Sequence, residues 1–312
     1  MPKIVALAGG VGGSKLALGL SKILPPENLC ILVNTADDEF FHGLYISPDI
    51  DTMTYSLAGL INKSKGWGLE GDTFQALSVL GKLGSDTWFN LGDKDLGLHI
   101  WRTASLQSGM KLSEITTAIA SKFGVKHQII PMSDSRIQTK LHTDIGELSF
   151  QEYFVKNRCE PITKEISFAG TELAAPPDRL ISFFNVADAI IFCPSNPLLS
   201  IGPILAIQSI RNMIENFNGP RVAVSPIIGG NAVRGPASKM MKELGLESSN
   251  RGLAMLYEKV CDTLIIDEAD AEDIDDIEAL GISAIALPTI MNSESEKVAL
   301  AQEILKILDE YK

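Results

Sequence analysis

A glycine-rich segment near the start of the chain has the residue types of a phosphate-binding turn. Gly9-Gly10-Val11-Gly12-Gly13 lies between a short apolar run and a helical pattern that begins at Ser14. Glycines let a ligand approach the backbone closely, and a following helix presents free N–H groups to an anion. The segment is not a Walker A loop, because Leu16 stands where that motif has a hydroxyl residue. It is also not the Gly-x-Gly-x-x-Gly dinucleotide-binding fingerprint, because Lys15 stands where that motif has its third glycine. It is therefore either an unusual phosphate-binding turn or a tight turn that binds nothing. The candidate binding residues are Gly9, Gly10, Gly12 and Gly13.

Four aspartates follow the second apolar run of the chain, at Asp37, Asp38, Asp49 and Asp51. Carboxylate oxygens suit magnesium, which needs only one or two of them where a diphosphate supplies further ligands. We take Asp37 and Asp51 as the candidate metal ligands. Asp49 also fits a turn after Pro48, and Asp51 also fits the N-cap of a helix. The spacing alone does not decide which aspartates hold a metal.

Three further polar segments stand where strands end or helices begin. Leu91-Gly92-Asp93-Lys94-Asp95 opens a helix that carries His99 and Arg102 on one face, a pattern that alone is typical of a capped surface helix. Residues 194–197 and 225–230 each follow an apolar run, and their small polar residues, glycines and following helices suit an anion. The candidate binding residues in or beside these segments are Asn90, Ser195, Asn196 and Gly229.

The elements that must position these residues alternate between strands and helices. Apolar runs predict strands at residues 3–8, 30–33, 127–130, 189–193, 222–224, 263–266 and 282–287. Helical patterns after the later strands span residues 204–217, 236–244, 252–260 and 295–308. This alternation predicts an α/β, Rossmann-like fold, with a mostly parallel sheet covered by helices on both faces.

The strand pattern is interrupted by a run of helical patterns at residues 52–61, 73–83, 96–108 and 113–123. We interpret residues 51–124 as a helical insertion into an α/β nucleotide-binding core formed by residues 1–50 and 125–312. Alternating residues at 137–143 and 147–149, joined by Asp144-Ile145-Gly146, predict a β-hairpin.

Composition and charge exclude several classes of protein. The 312 residues are 45% hydrophobic and 21% charged, which is typical of a folded globular chain. A formal net charge of −12 argues against nucleic-acid and membrane-surface partners. No signal peptide or membrane span is expected, and four widely separated cysteines fit a reducing compartment. We expect a cytoplasmic protein, for which a homodimer is one candidate assembly.

Several of these segments belong to a longer series of motifs in a set order from Gly9 to about Asp270. The series is Ala8-Gly9-Gly10-Val11-Gly12-Gly13, Asn34-Thr35-Ala36-Asp37-Asp38, Ser47-Pro48-Asp49-Ile50-Asp51-Thr52, Gly66-Trp67-Gly68, Leu91-Gly92-Asp93-Lys94-Asp95, Pro131-Met132-Ser133-Asp134, Phe150-Gln151-Glu152-Tyr153, Pro194-Ser195-Asn196-Pro197 and Ser225-Pro226-Ile227-Ile228-Gly229-Gly230. It resembles the 2-phospho-L-lactate transferase family of deazaflavin coenzyme F420 biosynthesis.

The resemblance implies a magnesium-dependent transferase. Its donor would be a guanosine diphosphate ester of lactate or enolpyruvate, its acceptor the deazariboflavin FO, and one product GMP. The family's FO-binding positions match Asp51 and Asn90, and Asp51 is our candidate catalytic residue. The opening glycine segment is more similar to bacterial members, whose donor is thought to carry enolpyruvate, but the donor stays open.

This chemistry requires positioning and charge neutralisation more than covalent help, because a hydroxyl of FO attacks phosphorus in line with the departing GMP. The uncharged ring of FO needs an apolar slot, for which Trp67, Trp88 and Trp101 are candidates. We expect the guanosine half along residues 194–196 and 225–230, with Asn196 contacting guanine.

Two other functions stay open at this point. One is a dinucleotide-dependent dehydrogenase with Asp37 or Asp38 on the ribose, which the incomplete glycine fingerprint argues against. The other is a non-catalytic nucleotide-binding regulator of the gluconeogenesis-factor type, which is similar in the glycine turn but lacks the Leu-Gly-Asp-Lys-Asp and Phe-Gln-Glu-Tyr motifs.

Overall fold

The computed structural model describes residues 1–232 and 235–311. Its strands are β1 (Ile4–Ala8), β2 (Leu29–Val33), β3 (Glu39–Phe41), β4 (Leu44–Ile46), β5 (Gln128–Pro131), β6 (Gln138–Thr143), β7 (Gly146–Ser149), β8 (Thr163–Ala169), β9 (Ala189–Phe192), β10 (Arg221–Val224), β11 (Ile227–Ile228), β12 (Asn231–Ala232), β13 (Thr263–Asp267) and β14 (Ser283–Leu287). Its α-helices are α1 (Gly10–Ile23), α2 (Pro48–Ala58), α3 (Gln75–Lys82), α4 (Asp93–Gln107), α5 (Leu112–Lys122), α6 (Asp178–Phe184), α7 (Gly202–Ala206), α8 (Gln208–Glu215), α9 (Ala237–Glu243), α10 (Asn250–Tyr257), α11 (Ile274–Glu278) and α12 (Glu294–Glu310).

A seven-stranded parallel sheet forms the centre, in the order β14-β13-β10-β9-β1-β2-β5. Each of its strands coincides with a predicted apolar run. Side chains alternate between the two faces of the sheet, so that Val5 and Leu7 join one hydrophobic core while Ile4, Ala6 and Ala8 join the other. Helices cover both cores. The predicted Rossmann-like α/β fold is therefore confirmed.

The order of the strands reverses at β1. The chain runs from β1 through β2 to β5 at one edge and then continues from β9 on the other side of β1 to β14. The carboxyl ends of β1 and β9 are therefore neighbours at the switch point of the sheet, where α/β proteins bind their ligands. The glycine segment follows β1, and residues 193–196 follow β9.

Helices α2 to α5 occupy the region between β4 and β5 and add no strand to the central sheet. A small core of their own contains Tyr55, Leu98, Ile115 and Ile119. Helix α2 also packs against α1 of the main fold. The division into a core of residues 1–50 and 125–312 and an insertion of residues 51–124 stays a prediction.

The predicted hairpin forms as β6 and β7, and β8 adds a third antiparallel strand on the other side of β6. The predicted helix at residues 204–217 is two helices, because Ile207 adopts an extended conformation between α7 and α8. Helix α1 begins at Gly10 rather than Ser14, so that the glycine segment itself forms its first turn. No helix in the described part of the chain is long and apolar enough to span a membrane.

Candidate active site

A cavity of about 720 Å³ opens at the switch point of the sheet. Its walls come from the turns after β1 and β9, from the helical segment, from the loop after β7 and from the segment after β14. The sequence-predicted residues that line it are Gly9, Gly10, Gly12, Asp37, Asp51, Asn90, Ser195 and Asn196. Gly13 and Gly229 do not line it. The fold thus brings most of the candidate residues to one place.

The glycine turn packs tightly against the turn that follows β9. The backbone N–H of Gly9 donates to the Ser195 hydroxyl at 3.0 Å, and this hydroxyl donates to the Gly9 carbonyl at 2.9 Å. A β-carbon on Gly12 would overlap the carbonyl oxygen of Pro194, and one on Gly13 would overlap the Ser195 hydroxyl. Ser195 therefore joins the two turns, and Gly13 serves this packing rather than the cavity wall.

Two buried carboxylates, Asp37 and Asp49, lie beside the glycine turn. The side-chain N–H₂ of Asn34 donates to an oxygen of each, at 3.1 Å in both cases. Burial and the neighbouring Asp49 and Asp38 charges raise the pKa of Asp37 well above its usual value. Burial also raises the pKa of Asp49, against hydrogen bonds from Asn34 and the Gly10 backbone. Two carboxylates share one amide donor here, which is a strained arrangement for two negative charges.

Asp51 forms a buried ion pair with Arg102. Both carboxylate oxygens accept hydrogen bonds from the guanidinium, one of them at 3.0 Å, and Arg102 is completely buried. Nδ1 of His99 lies 3.2 Å from the same guanidinium and 3.8 Å from Asp51. Burial lowers the pKa of His99 to about 4. The prediction of a capped surface helix was therefore wrong for this part of α4, because His99 and Arg102 are buried and the Arg102 guanidinium neutralises Asp51.

A second carboxyl, Asp95, lies one turn before His99 on α4 and also lines the cavity. The Tyr55 hydroxyl donates to it at 2.7 Å. Burial raises the pKa of Asp95 to about 6. Asn90 lies exposed at the cavity rim, just before the same helix.

Five aromatic side chains line the same cavity as the glycine turn. The lining aromatic residues besides Tyr55 are Trp67, Phe89, Phe150 and Phe154. Phe89 stacks on Phe41 with ring centroids 4.1 Å apart, and Phe150 stacks on Phe154 at 5.4 Å. Of the three tryptophans proposed for this role, only Trp67 lines the cavity. Trp88 packs edge-on against Phe41 and Phe89, and Trp101 is 45% exposed outside the cavity.

Other turns at the same sheet edge have structural partners. The Asn196 side chain accepts from the backbone N–H groups of Leu198 and Leu199 at 2.9 and 3.1 Å and so caps the following π-helical turn. The N–H of Gly229 donates to both oxygens of Asp270, at 2.8 and 3.0 Å. The backbone of Gly229 is thus bound to Asp270, and Gly229 does not line the cavity.

Sequence analysis missed a wall segment after β14, in which Thr289 and Asn292 line the cavity. Polar residues that follow a parallel strand were the available signal, because the carboxyl ends of all such strands meet at one edge. Sequence analysis also missed the gathering of His99 and Asp95 around Asp51. The sequence shows their spacing on α4, but it does not show that α4 packs next to Asp51 on α2.

A match to a known family decides which class of protein carries this site. A profile of the family described as 2-phospho-L-lactate transferase CofD matches residues 4–295. The chain belongs to this family. Relatives in the family align along almost their full length. A phosphoenolpyruvate transferase of Streptomyces griseus is 38% identical over 314 residues, which cover 99% of this chain and 99% of the relative.

A second relative carries the other name used in the family. A 2-phospho-L-lactate transferase of Methanopyrus kandleri is 37% identical over 312 residues, covering 99% of this chain and 98% of the relative. Among solved structures, a protein of the upf0052 family from Bacillus halodurans superposes with a TM-score of 0.63. Its sequence identity is 15%, with coverage of 98% of this chain and 99% of that one, so the likeness supports the fold alone.

Proposed function

We propose that this protein transfers a phospholactyl or phosphoenolpyruvyl group from its guanosine diphosphate ester to FO, releasing GMP, in the biosynthesis of the deazaflavin coenzyme F420. The observation that carries the proposal is the single cavity that joins a glycine turn and two carboxylates to a wall of aromatic side chains. The diphosphate ester would bind to the glycine turn and the carboxylate-bound cation, and the tricyclic ring of FO would pack against the aromatic side chains. The names of full-length relatives support this chemistry.

In the proposed reaction, the primary ribityl hydroxyl of FO attacks the phosphorus that bears the lactyl or enolpyruvyl group. A new oxygen–phosphorus bond forms, the bond from that phosphorus to the GMP phosphate oxygen breaks, and the proton of the hydroxyl passes to solvent or to the departing GMP phosphate. The protein's part is to align the two substrates and neutralise charge. The N-terminal turn of α1 also lines the cavity with Val11 and Gly12. We assign their backbone N–H groups to the diphosphate, because those of Gly9 and Gly10 are bound to Ser195 and Asp49.

Magnesium fits the donor set formed by Asp37 and Asp49. Both carboxylates line the cavity and both are buried. Burial and the neighbouring Asp49 charge raise the pKa of Asp37, so a cation between the two carboxylates would relieve an existing cost. Bound there with diphosphate oxygens, magnesium would neutralise charge on the phosphates. The described residues hold no group of three or more acidic, histidine or cysteine ligands, which agrees with a metal that depends on the substrate for further oxygens.

Asp51, which the sequence suggested as a metal ligand, is not a metal ligand in this proposal. Because Arg102 already binds both of its oxygens, we place the metal on Asp37 and Asp49 and give Asp51 the role of a fixed acceptor that orients FO. Asn90 lies at the rim, where its amide can reach the same substrate. We leave the general base unassigned.

The guanosine half of the donor is proposed to lie near residues 194–196 and 289–292. These segments border the glycine turn, and Thr289 and Asn292 add side chains that can hydrogen-bond to a base. Since Asn196 uses its carbonyl oxygen as a cap, only its amide N–H₂ is offered to guanine. Of the expected segment 225–230, Ser225 and Pro226 also line the cavity, whereas Gly229 does not.

The test is a direct assay with FO, magnesium and each donor in turn. We expect GMP release only when all three are present, and the ratio of kcat/KM values for the two donors will decide between lactate and enolpyruvate. GMP should inhibit more strongly than AMP. Equal inhibition by the two nucleotides would contradict the guanosine assignment. A regulator or a dehydrogenase would release no GMP at all, and family membership favours neither.

We also propose a cytoplasmic location for the protein. Cys30, Cys193 and Cys261 are buried free thiols, which supports a reducing compartment such as the cytoplasm. A homodimer stays a prediction, which sedimentation of the purified protein will test.

A further inference from the structure

His99 has a hydrogen-bonding role that the proposed chemistry does not yet use. Its ring lies on the cavity wall, and the residue as a whole is 3% exposed. Nδ1 of the ring lies 3.2 Å from Nη1 of Arg102. Among the described residues, Nε2 has no hydrogen-bond partner. One nitrogen of the imidazole is therefore engaged by protein, and the other is available to a molecule in the cavity.

The contact with Arg102 determines which nitrogen carries the proton. A guanidinium has only donors, so Nδ1 must accept the hydrogen bond and must be unprotonated. A neutral imidazole with a bare Nδ1 carries its proton on Nε2, which makes Nε2–H a donor. Arg102 cannot turn away to release the ring, because its two terminal nitrogens are bound to Asp51 and its side chain is completely buried.

The surroundings of His99 indicate what kind of atom this donor meets. Asp51 lies 3.8 Å from Nδ1, but its charge is paired with Arg102. In this tautomer the imidazole is neutral and offers no positive charge to an anionic group of a ligand. An uncharged oxygen, such as a carbonyl or a hydroxyl, is the acceptor that suits a neutral N–H in this position.

We infer that Arg102 holds His99 as the Nε2-protonated tautomer, and that this N–H donates a hydrogen bond to a ring carbonyl or ribityl hydroxyl of FO. The identity of the acceptor rests on the proposed function, whereas the tautomer rests on the geometry alone. His99 is then a binding residue and not the general base, because the nitrogen without a protein partner already carries a proton. Arg102 is a positioning residue that acts through His99 and Asp51.

The tautomer is tested by NMR of the ¹⁵N-labelled protein. The chain has four histidines, and the signals lost in His99→Gln identify those of His99. In a two-bond ¹H–¹⁵N correlation spectrum, Nε2 couples to both ring protons and Nδ1 to one, so the protonated nitrogen can be recognised. We expect protonated Nε2 and bare Nδ1. A proton on Nδ1 would overturn the inference, whatever the enzyme assay shows.

The hydrogen bond to substrate is tested by calorimetric titration with FO. His99→Leu should weaken FO binding about tenfold, the value of one lost hydrogen bond, while His99→Gln, whose amide keeps an N–H donor, should recover most of it. His99→Leu should raise KM for FO by a larger factor than it lowers kcat. Unchanged affinity in a folded His99→Leu protein would overturn the inference.

A ring analogue of FO with a methyl group in place of the ribityl chain locates the acceptor oxygen. If His99→Leu weakens FO and the analogue equally, the partner is a ring carbonyl, and if it weakens FO alone, the partner is a ribityl hydroxyl. Failure of the proposed function would be distinct, because it would appear as absent GMP release in the unaltered enzyme while the tautomer could still be measured. Absence of any FO binding would overturn both.

Discussion

The guanidinium of Arg102 on α4 binds both carboxylate oxygens of Asp51 on α2, and both residues are buried. Asp51 lies near the start of α2, which packs against α1, the helix that the glycine turn opens. The ion pair therefore joins two helices of the helical segment, and through α2 it also connects α4 to the helix that the glycine turn opens. Because Asp51 lines the cavity, the pair also fixes α4 against this part of the cavity wall.

Replacing Asp51 by asparagine should cost both stability and turnover. Arg102 would keep its buried charge without a counter-ion, and breaking such a pair typically costs about 3–5 kcal/mol. Thermal unfolding should report this loss as a clearly lowered Tm, and kcat/KM for FO should fall by more than the unfolded fraction explains. Replacement of Asp134, which hydrogen-bonds Ser113 outside the cavity, is the control and should leave FO kinetics unchanged. A normal Tm in Asp51→Asn would show that Arg102 does not depend on this partner.

Asp49→Asn should weaken magnesium binding. Loss of a ligand carboxylate should cost at least the roughly 10- to 100-fold that loss of an outer-shell residue costs at metal sites. Titration of magnesium in the presence of GMP measures the effect. Asp38→Asn is the matched control, because Asp38 is a neighbouring buried carboxylate that hydrogen-bonds Ser47 and does not line the cavity. Equal effects of the two substitutions would remove Asp49 from the metal site.

Gly12→Ala should weaken donor binding through a shift of the neighbouring turn. The added β-carbon would overlap the carbonyl oxygen of Pro194, and overpacking of this kind typically costs about 1–3 kcal/mol. Gly59→Ala provides the control, because Gly59 has φ of +70° in open space at the end of α2 and outside the cavity. Both variants should unfold at lower temperature, but only Gly12→Ala should raise the dissociation constant of the donor. Unchanged affinity in Gly12→Ala would make the turn purely structural.

Phe154→Leu should raise KM for FO about fivefold, since loss of a stacked aromatic contact typically costs about 0.5–1.5 kcal/mol beyond the buried area. Phe154 lines the cavity and stacks on Phe150. Trp101→Leu removes a larger aromatic group from an exposed position outside the cavity and should leave KM unchanged. A larger increase in KM for Trp101→Leu than for Phe154→Leu would place Trp101 in the FO site.

Asp95 should make stability depend on pH. Burial raises its pKa in the folded chain to about 6, against about 3.9 in an unfolded chain. Between these values the folded state binds more protons, so this carboxyl's contribution to the free energy of unfolding falls as the pH rises. Asp95→Asn keeps an oxygen for the Tyr55 hydroxyl but does not titrate. The variant should match the parent near pH 4 and exceed its Tm by about 5 °C at pH 7. Parallel Tm profiles would contradict the raised pKa.

The central sheet was predictable because parallel strands are buried on both faces and appear as uninterrupted apolar runs. β8 was missed for the opposite reason. It is a partly exposed antiparallel strand whose partner, β6, is set by tertiary pairing rather than by its own pattern. The break between α7 and α8 was missed because apolar residues continue through Ile207 without a glycine or proline.

The candidate site was predictable where its residues directly follow a strand of the sheet, as do the glycine turn, Asp37 and Ser195. Contacts between elements that are distant in the sequence could not be predicted. Nothing local distinguishes Arg102 from an exposed arginine on a helix, and its burial follows only from the approach of α2 to α4. The aromatic wall shows the same limit, since Phe150 and Phe154 come from a different part of the chain from the tryptophans first proposed.

The close packing of α1 against α12 has a consequence for how the protein is made. A β-carbon on Gly19 would overlap the backbone carbonyl of Lys297, so the helix behind the glycine turn is in direct backbone contact with the last helix of the chain. A ribosome synthesises the first of these helices long before the second. The nascent chain therefore leaves the exit tunnel with the helix behind its glycine turn unsupported, and we expect donor binding to begin only after α12 has emerged. Ribosome-stalled chains that end before and after α12 would show this as a gain of protection by GMP against proteolysis.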